Sequence, residues 1–263
     1  MTFEQWIYGR DFNNPSINGQ WGTLHIITLI ICIGLIVGLS LFFRKKDDKA
    51  KRTVLFVIAS ILLFFELTRR IVNITNPVTF TKYNLLWVLL PRPGCAISVW
   101  LVMLSPFINK KWFYNFASMI SIICAIIFFA YPGAGFLNEY ILFENLYSIV
   151  THSLFLVGAF LIVTLKLSSF NYRKVLNELI CLGGLIIYVA LEMFVLTKNS
   201  SGAPLELDPF YILPNNEIQE IVGITNNTLY FILYLVFFLV YFGLFYILSI
   251  KRNKKINLIN IGE

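Results

Sequence analysis

Residues 21–52 read WGTLHIITLIICIGLIVGLSLFFRKKDDKAKR. The first 23 of them hold no Asp, Glu, Lys or Arg. About 20 predominantly apolar residues suffice for a helix to cross the hydrocarbon core of a bilayer. The run ends in Arg44, Lys45, Lys46, Lys49, Lys51 and Arg52. Basic clusters beside a span mark its cytoplasmic end. This stretch therefore predicts a membrane helix and gives its direction.

The same pattern recurs along the chain. Apolar runs predict seven spans, at 21–43, 53–74, 84–106, 112–131, 143–165, 175–197 and 228–250. Backbone groups in hydrocarbon must bond within their own segment or within a closed barrel, and continuous apolar runs select helices. The composition agrees: 58% of residues are hydrophobic and 13% charged, where soluble domains average about 45–50% and about 25%. A soluble globular domain, a disordered chain and a disulfide scaffold are excluded. The fold class is all-α, a polytopic bundle of seven transmembrane helices.

The loops fix the orientation. Lys110 and Lys111 follow the third run; Lys166, Arg173 and Lys174 follow the fifth; Lys251, Arg252, Lys254 and Lys255 follow the seventh. With the first cluster, 15 of the 21 basic residues lie on one side. The other side has Arg10, Lys82 and Lys198 among several acids. The N-terminus is expected outside and the C-terminus in the cytoplasm, in the cell membrane. The net charge of +7 is thus an orientation signal, and no nucleic-acid partner is expected. Residues 1–20 form a polar extracytoplasmic segment with no basic-then-apolar leader, so no cleavable signal peptide is expected. A long external loop spans 198–227, with one short helix expected near 217–222, and residues 251–263 form a basic cytoplasmic tail. Cys32, Cys95, Cys124 and Cys181 all fall in apolar runs, so no disulfide framework is indicated.

Ionisable side chains inside a span cost about 2.5–3.5 kcal/mol or more at the bilayer centre and are often functional. Here they are His25, Glu66, Arg69, Arg70, Arg92, His152 and Glu192, with Glu178 at an inner boundary. At about 1.5 Å per residue, those seven all fall in the outer half of the membrane. Glu66 stands three and four residues before Arg69 and Arg70, so its carboxylate can meet either guanidinium. Two arginines against one local acid leave a positive charge for Glu192 or an anionic ligand to balance. An internal ion pair serving structure alone is the competing reading of this trio.

The third run contains Leu90-Pro91-Arg92-Pro93-Gly94-Cys95. Two prolines and a glycine forbid a regular helix, and irregular backbone at this depth belongs where it is buried in protein or lines a cavity. The bracketing of Cys95 by Arg92, Pro93 and Gly94 distinguishes it from the other three cysteines, which read as packing residues. His152 lies at a similar expected depth and is its natural acid–base partner. A kink with a small buried cysteine, and a histidine that merely bonds between helices, are the bland alternatives. His25, close to the interface, reads first as an interfacial hydrogen-bonder. Two histidines and one cysteine are too sparse for a zinc site, so no metal or cofactor is expected.

Gly22 to His25 at the start of the first run, Glu66, Leu90-Pro91 with Cys95, Asn115-Phe116, Pro132 and His152-Ser153 together resemble the YwaF-like bacterial family of seven-span membrane proteins. That family is similar to eukaryotic membrane proteins that move acyl chains between phospholipids with a Cys and a His. The resemblance implies that Cys95 and His152 hold those roles. Two departures stand out. Pro93 occupies a position where the family usually has a histidine, and no Asn-Tyr-rich motif follows the sixth run around 197–214.

The leading expectation is an acyltransferase acting on phospholipids, with catalytic Cys95 and His152. Arg92, Arg69, Arg70, Glu66, His25 and Glu192 would line the substrate site, and membrane lipids are the expected partners. Its rival is a transporter or binding protein for an anionic metabolite or lipid, in which Glu66 serves as counter-ion or proton carrier. A third reading makes the buried charges purely structural.

Overall fold

The computed structural model describes residues 3–8, 21–76, 85–91, 94–130, 136, 141–170, 175–195, 219 and 222–260. Its elements are helices, with no strand among the described residues: α1 (Phe3–Tyr8), α2 (Thr23–Phe43), α3 (Asp48–Thr75), α4 (Leu85–Leu89), α5 (Gly94–Ile108), α6 (Lys111–Ala130), α7 (Phe143–Thr164), α8 (Val175–Val195) and α9 (Asn227–Asn260). Five of them, α2, α6, α7, α8 and α9, are long and apolar enough to cross a membrane. The protein is therefore a multi-pass membrane protein. α3 is long, at 28 residues, but carries Asp48, Lys49, Lys51 and Arg52 at one end and Glu66, Arg69 and Arg70 near the other. α5 is apolar but only 15 residues long, because the run expected at 84–106 is broken after Leu89 and resumes at Gly94. That break is where the prolines and glycine placed it.

Two boundaries differ from expectation. α3 starts at Asp48 because Asp47 caps it, its carboxylate accepting the Ala50 amide at 2.8 Å. The backbone of α9 stays helical to Asn260, so the basic residues 251–255 extend the helix. Most of the loop 198–227, with its expected short helix, lies outside the described residues. α1 was not expected; it docks on the bundle through Trp6, whose indole donates to the Ile141 carbonyl at 2.9 Å, and Tyr8, whose hydroxyl donates to Thr75 at 3.2 Å.

α6 is the axis of the bundle and packs on α5, α7 and α8, while α3 lies against α5 and α7, and α2 against α7. In its apolar window 83% of residues are buried, against 11% for α2, 17% for α8 and 6% for α9. The three exposed helices turn Ile30, Ile33, Ile186, Ile187, Leu239 and Val240 outward, a surface that needs lipid. Inside, Leu62, Phe155, Leu161 and Ile162 have no exposure at all, each burial contributing about 1.5–3 kcal/mol where water is the reference. Close approach of α7 to α5 and α3 depends on Gly158: a Cβ there would stand 2.7 Å from Val102 Cγ1 and 3.5 Å from Ile58 Cγ2.

The end of the bundle where α3 and α6 begin is tied by Asn115. Its amide donates to Glu178 Oε1 at 2.5 Å, and its carbonyl accepts the Ser169 and Phe170 amides at 2.9 and 3.3 Å. One residue thus joins α6, α8 and the segment after α7.

Candidate functional site

The site forms around the interruption between α4 and α5. Where a helix stops, its last carbonyls lose their partners. Arg70 supplies one: its Nε and Nη2 both donate to the Leu89 carbonyl at 3.2 Å. From α8, the Tyr188 hydroxyl donates to the Pro91 carbonyl at 3.3 Å. The Arg70 guanidinium also lies 5.2 Å from the Trp100 ring centre, a cation–π placement. The broken helix is thus held from α3, from α8 and from α5 itself.

The same arginine pairs with Glu66, its i−4 neighbour, which is 1% exposed. The other carboxylate oxygen of Glu66 accepts a hydrogen bond from the Tyr147 hydroxyl on α7. Tyr147 in turn accepts from Arg69 Nη1 at 3.3 Å, and the Arg69 guanidinium sits 4.9 Å from the centre of its ring. Glu144, one turn before Tyr147, is near enough to Arg69 to interact electrostatically. The two arginines therefore face two acids, where the sequence suggested one, with Glu192 or an anionic ligand to balance the remaining charge. Glu192 is buried on α8. Both oxygens of Glu66 are engaged, which suits a structural carboxylate better than an exchangeable one.

Five residues beyond Tyr147 on α7, His152 is buried against α6. Its Nδ1 lies 2.7 Å from the Ser148 carbonyl. A carbonyl only accepts, so Nδ1 carries the proton, and in the neutral ring Nε2 keeps its lone pair for a substrate proton. The imidazole stacks on Phe128, with centroids 3.6 Å apart and planes at 16°, and Phe155 tilts against it at 5.1 Å.

Cys95, half-buried in the first turn of α5, is near enough to Cys124 on α6 to interact with it electrostatically. Cys124 and Phe128 are one helical turn apart, about 6 Å along α6. Cys95 and His152 thus adjoin neighbouring turns of α6, through Cys124 and Phe128 respectively, and no hydrogen bond joins them among the described residues. Cys124 reads from sequence as packing only; the structure sets it beside the candidate nucleophile.

His25 is fully buried within a ring of aromatics, its centroid 4.8 Å from Trp21, 4.7 Å from Phe136 and 6.1 Å from the stacked Phe129. It is a core histidine, where the sequence suggested an interfacial one. Phe136 also tilts against Phe128 at 6.0 Å, so both histidines of the chain adjoin one aromatic cluster. Arg92 lies outside the described residues. Among those residues no group of three or more His, Cys, Asp or Glu is placed to hold a metal ion.

The chief residues missed by sequence reasoning are Tyr147, Phe128, Trp100 and Cys124. Tyr147 had one available signal: it shares the helix of His152 at a spacing of five residues.

No curated protein and no solved structure matches the chain. A family model does, over residues 20–246, a range holding every helix of the site from α2 to α8. On that match the chain belongs to the TMEM164 family, a family of membrane proteins.

Proposed function

We propose that this protein is a seven-span enzyme of the cell membrane that transfers acyl chains between phospholipids through Cys95 and His152. Its N-terminus is outside, and the basic end of the bundle faces the cytoplasm. The observation that carries the reading is the placement of Cys95 and His152 against neighbouring turns of α6, with the His152 tautomer fixed by the Ser148 carbonyl. The resemblance to the YwaF-like proteins supports the same two residues.

The Cys95 sulfur attacks the ester carbonyl of a donor phospholipid, and the thiol proton passes to His152 Nε2. The ester C–O bond breaks, and the lysophospholipid oxygen leaves with that proton, so the acyl group is held as a thioester. A hydroxyl of the acceptor lipid then attacks the thioester carbonyl and gives its proton to His152. The Cys95 sulfur departs and regains the proton. In this reading the reacting substrate oxygen stands between the two residues and exchanges protons with the imidazole. Arg69 gives one of its donors to Tyr147 and has others for a headgroup phosphate, whose geometry suits a guanidinium; Arg92 shares that role.

Purified protein in vesicles containing a phospholipid labelled in its acyl chain and an unlabelled lysophospholipid should move label to the acceptor. Cys95→Ser should stop transfer and remove the thioester-linked acyl group seen by intact-mass spectrometry. Transfer at the wild-type rate by Cys95→Ser overturns the mechanism.

A further inference from the structure

The opposite end of the bundle carries a second constellation that acyl transfer does not use. A cavity of about 590 Å³ opens where α3 and α6 begin and α5 and α7 end, within the range of small-molecule sites. Arg52, on its wall, is fourteen residues from Glu66 along α3, about 21 Å away. Four cations line it, Lys49, Arg52, Lys111 and Lys166, against the single carboxylate of Asp48. That carboxylate is already paired with Lys51 at 3.1 Å.

An orienting charge has only to lie on the correct side of a membrane. One of these cations is held much more tightly than that, and a second is fixed through its backbone. Arg52 donates from Nε to the Pro106 carbonyl at 2.7 Å, and its guanidinium lies 5.1 Å from the Phe56 ring centre. Its terminal nitrogens are thereby aimed by α5 and by a ring on its own helix. Lys166 sits at φ 63° at the end of α7. There its amide bonds to the Val163 carbonyl at 3.1 Å, and the Leu167 amide bonds to the Ile162 carbonyl at 3.1 Å. This is the Schellman ending, whose left-handed residue is usually glycine. A lysine tolerates that conformation poorly, so helix termination does not account for its presence. Its side chain lines the cavity.

We infer that this cavity binds a phosphate monoester, presented by an anionic lipid headgroup or by a soluble metabolite. Such a group carries a charge of about −1.5 to −2 at neutral pH, matching a wall with several cations and a neutralised acid. Phe56 and Leu167 add an apolar flank for the stem that carries the phosphate.

The test uses the full chain in detergent, titrated by calorimetry with glycerol 3-phosphate and, separately, with dioctanoyl phosphatidic acid; dioctanoyl phosphatidylcholine is the control. Binding of the soluble ester supports the site and assigns a metabolite. Binding of phosphatidic acid alone supports it and assigns a lipid. Lys166→Gly should weaken binding about tenfold, the loss of one charge-assisted contact, without lowering the melting temperature, because glycine suits φ 63°. Arg52→Gln should weaken it similarly. The inference is overturned if neither phosphate binds, if phosphatidylcholine binds equally, or if both variants bind as the wild type does. The outcome is independent of Cys95 chemistry, so its failure and that of the acyl-transfer reading are separable.

Discussion

The rings of Phe128 and His152 stack with centroids 3.6 Å apart and planes 16° from parallel. With Nδ1 fixed on the Ser148 carbonyl, the phenyl ring removes the remaining rotational freedom of the imidazole and so aims Nε2. Phe128→Leu keeps an apolar side chain of similar bulk but loses the stack, an aromatic pair worth about 0.5–1.5 kcal/mol. The acyl-transfer rate should fall by up to about tenfold, with lipid binding unchanged. Phe128→Tyr should retain most of it. Single-turnover transfer assays on the two variants check this; equal rates would remove Phe128 from the positioning role.

Glu66 is bound on both oxygens, by Arg70 and by Tyr147. Removing one partner of a buried ion pair leaves an uncompensated charge and costs about 3–5 kcal/mol. Glu66→Leu should therefore lower the melting temperature strongly in detergent. Glu66→Gln keeps the shape and an acceptor for the tyrosine, and should lie between that variant and wild type. If both variants melt together, the ion pair contributes nothing beyond the hydrogen bond.

The Glu66–Arg70 pair and the broken helix were both legible in the sequence, for local reasons. A spacing of four places two side chains on one helical face whatever surrounds them, and proline and glycine act on their own backbone. The long apolar runs were legible because their length alone satisfies the bilayer. Tyr147, Phe128 and Cys124 were not. Within an apolar span, an aromatic or a thiol has the same local signature whether it faces lipid or the site. Its direction comes from the rotation of each helix against its neighbours. Rotation is set by contacts such as Gly158 with Val102, which join residues far apart in the chain. Lys166 was hidden for the opposite reason: it occupies a helix end that sequence rules reserve for glycine.

Asn115 serves three partners, Glu178 and the amides of Ser169 and Phe170. Asn115→Ala would leave each without its bond, at about 1–3 kcal/mol for an unpaired buried group. The segment after α7 should loosen first, because two of those bonds hold its backbone. Hydrogen–deuterium exchange should rise at 169–170 well before the helices of the site are affected. Asn115→Asp keeps both amide bonds and sets a carboxylate against Glu178. It should protect the segment yet still lower the melting temperature. Unchanged exchange in the alanine variant would show that other contacts hold this segment.

Gly158 marks a close crossing in the bundle, where α7 meets α5 and α3. The added Cβ of Gly158→Ala would stand 2.7 Å from Val102 Cγ1, a distance that forces movement. Val102 is 1% exposed and β-branched, so it has one strongly preferred rotamer in a helix and cannot swing aside. The helices must separate instead, at about 1–3 kcal/mol for overpacking in a filled core. The second-site change Val102→Ala clears the space occupied by Cγ1, so Gly158→Ala with Val102→Ala should be more stable than the sum of the single losses implies. Thermal unfolding of the four proteins of this cycle in detergent gives the coupling directly. Because α5 carries Cys95 and α7 carries His152, separation of these helices should also slow acyl transfer in Gly158→Ala, and the second change should restore part of the rate. Additive stabilities, with no rescue of transfer, would show that the crossing at Gly158 does not set the spacing of the helices that carry Cys95 and His152.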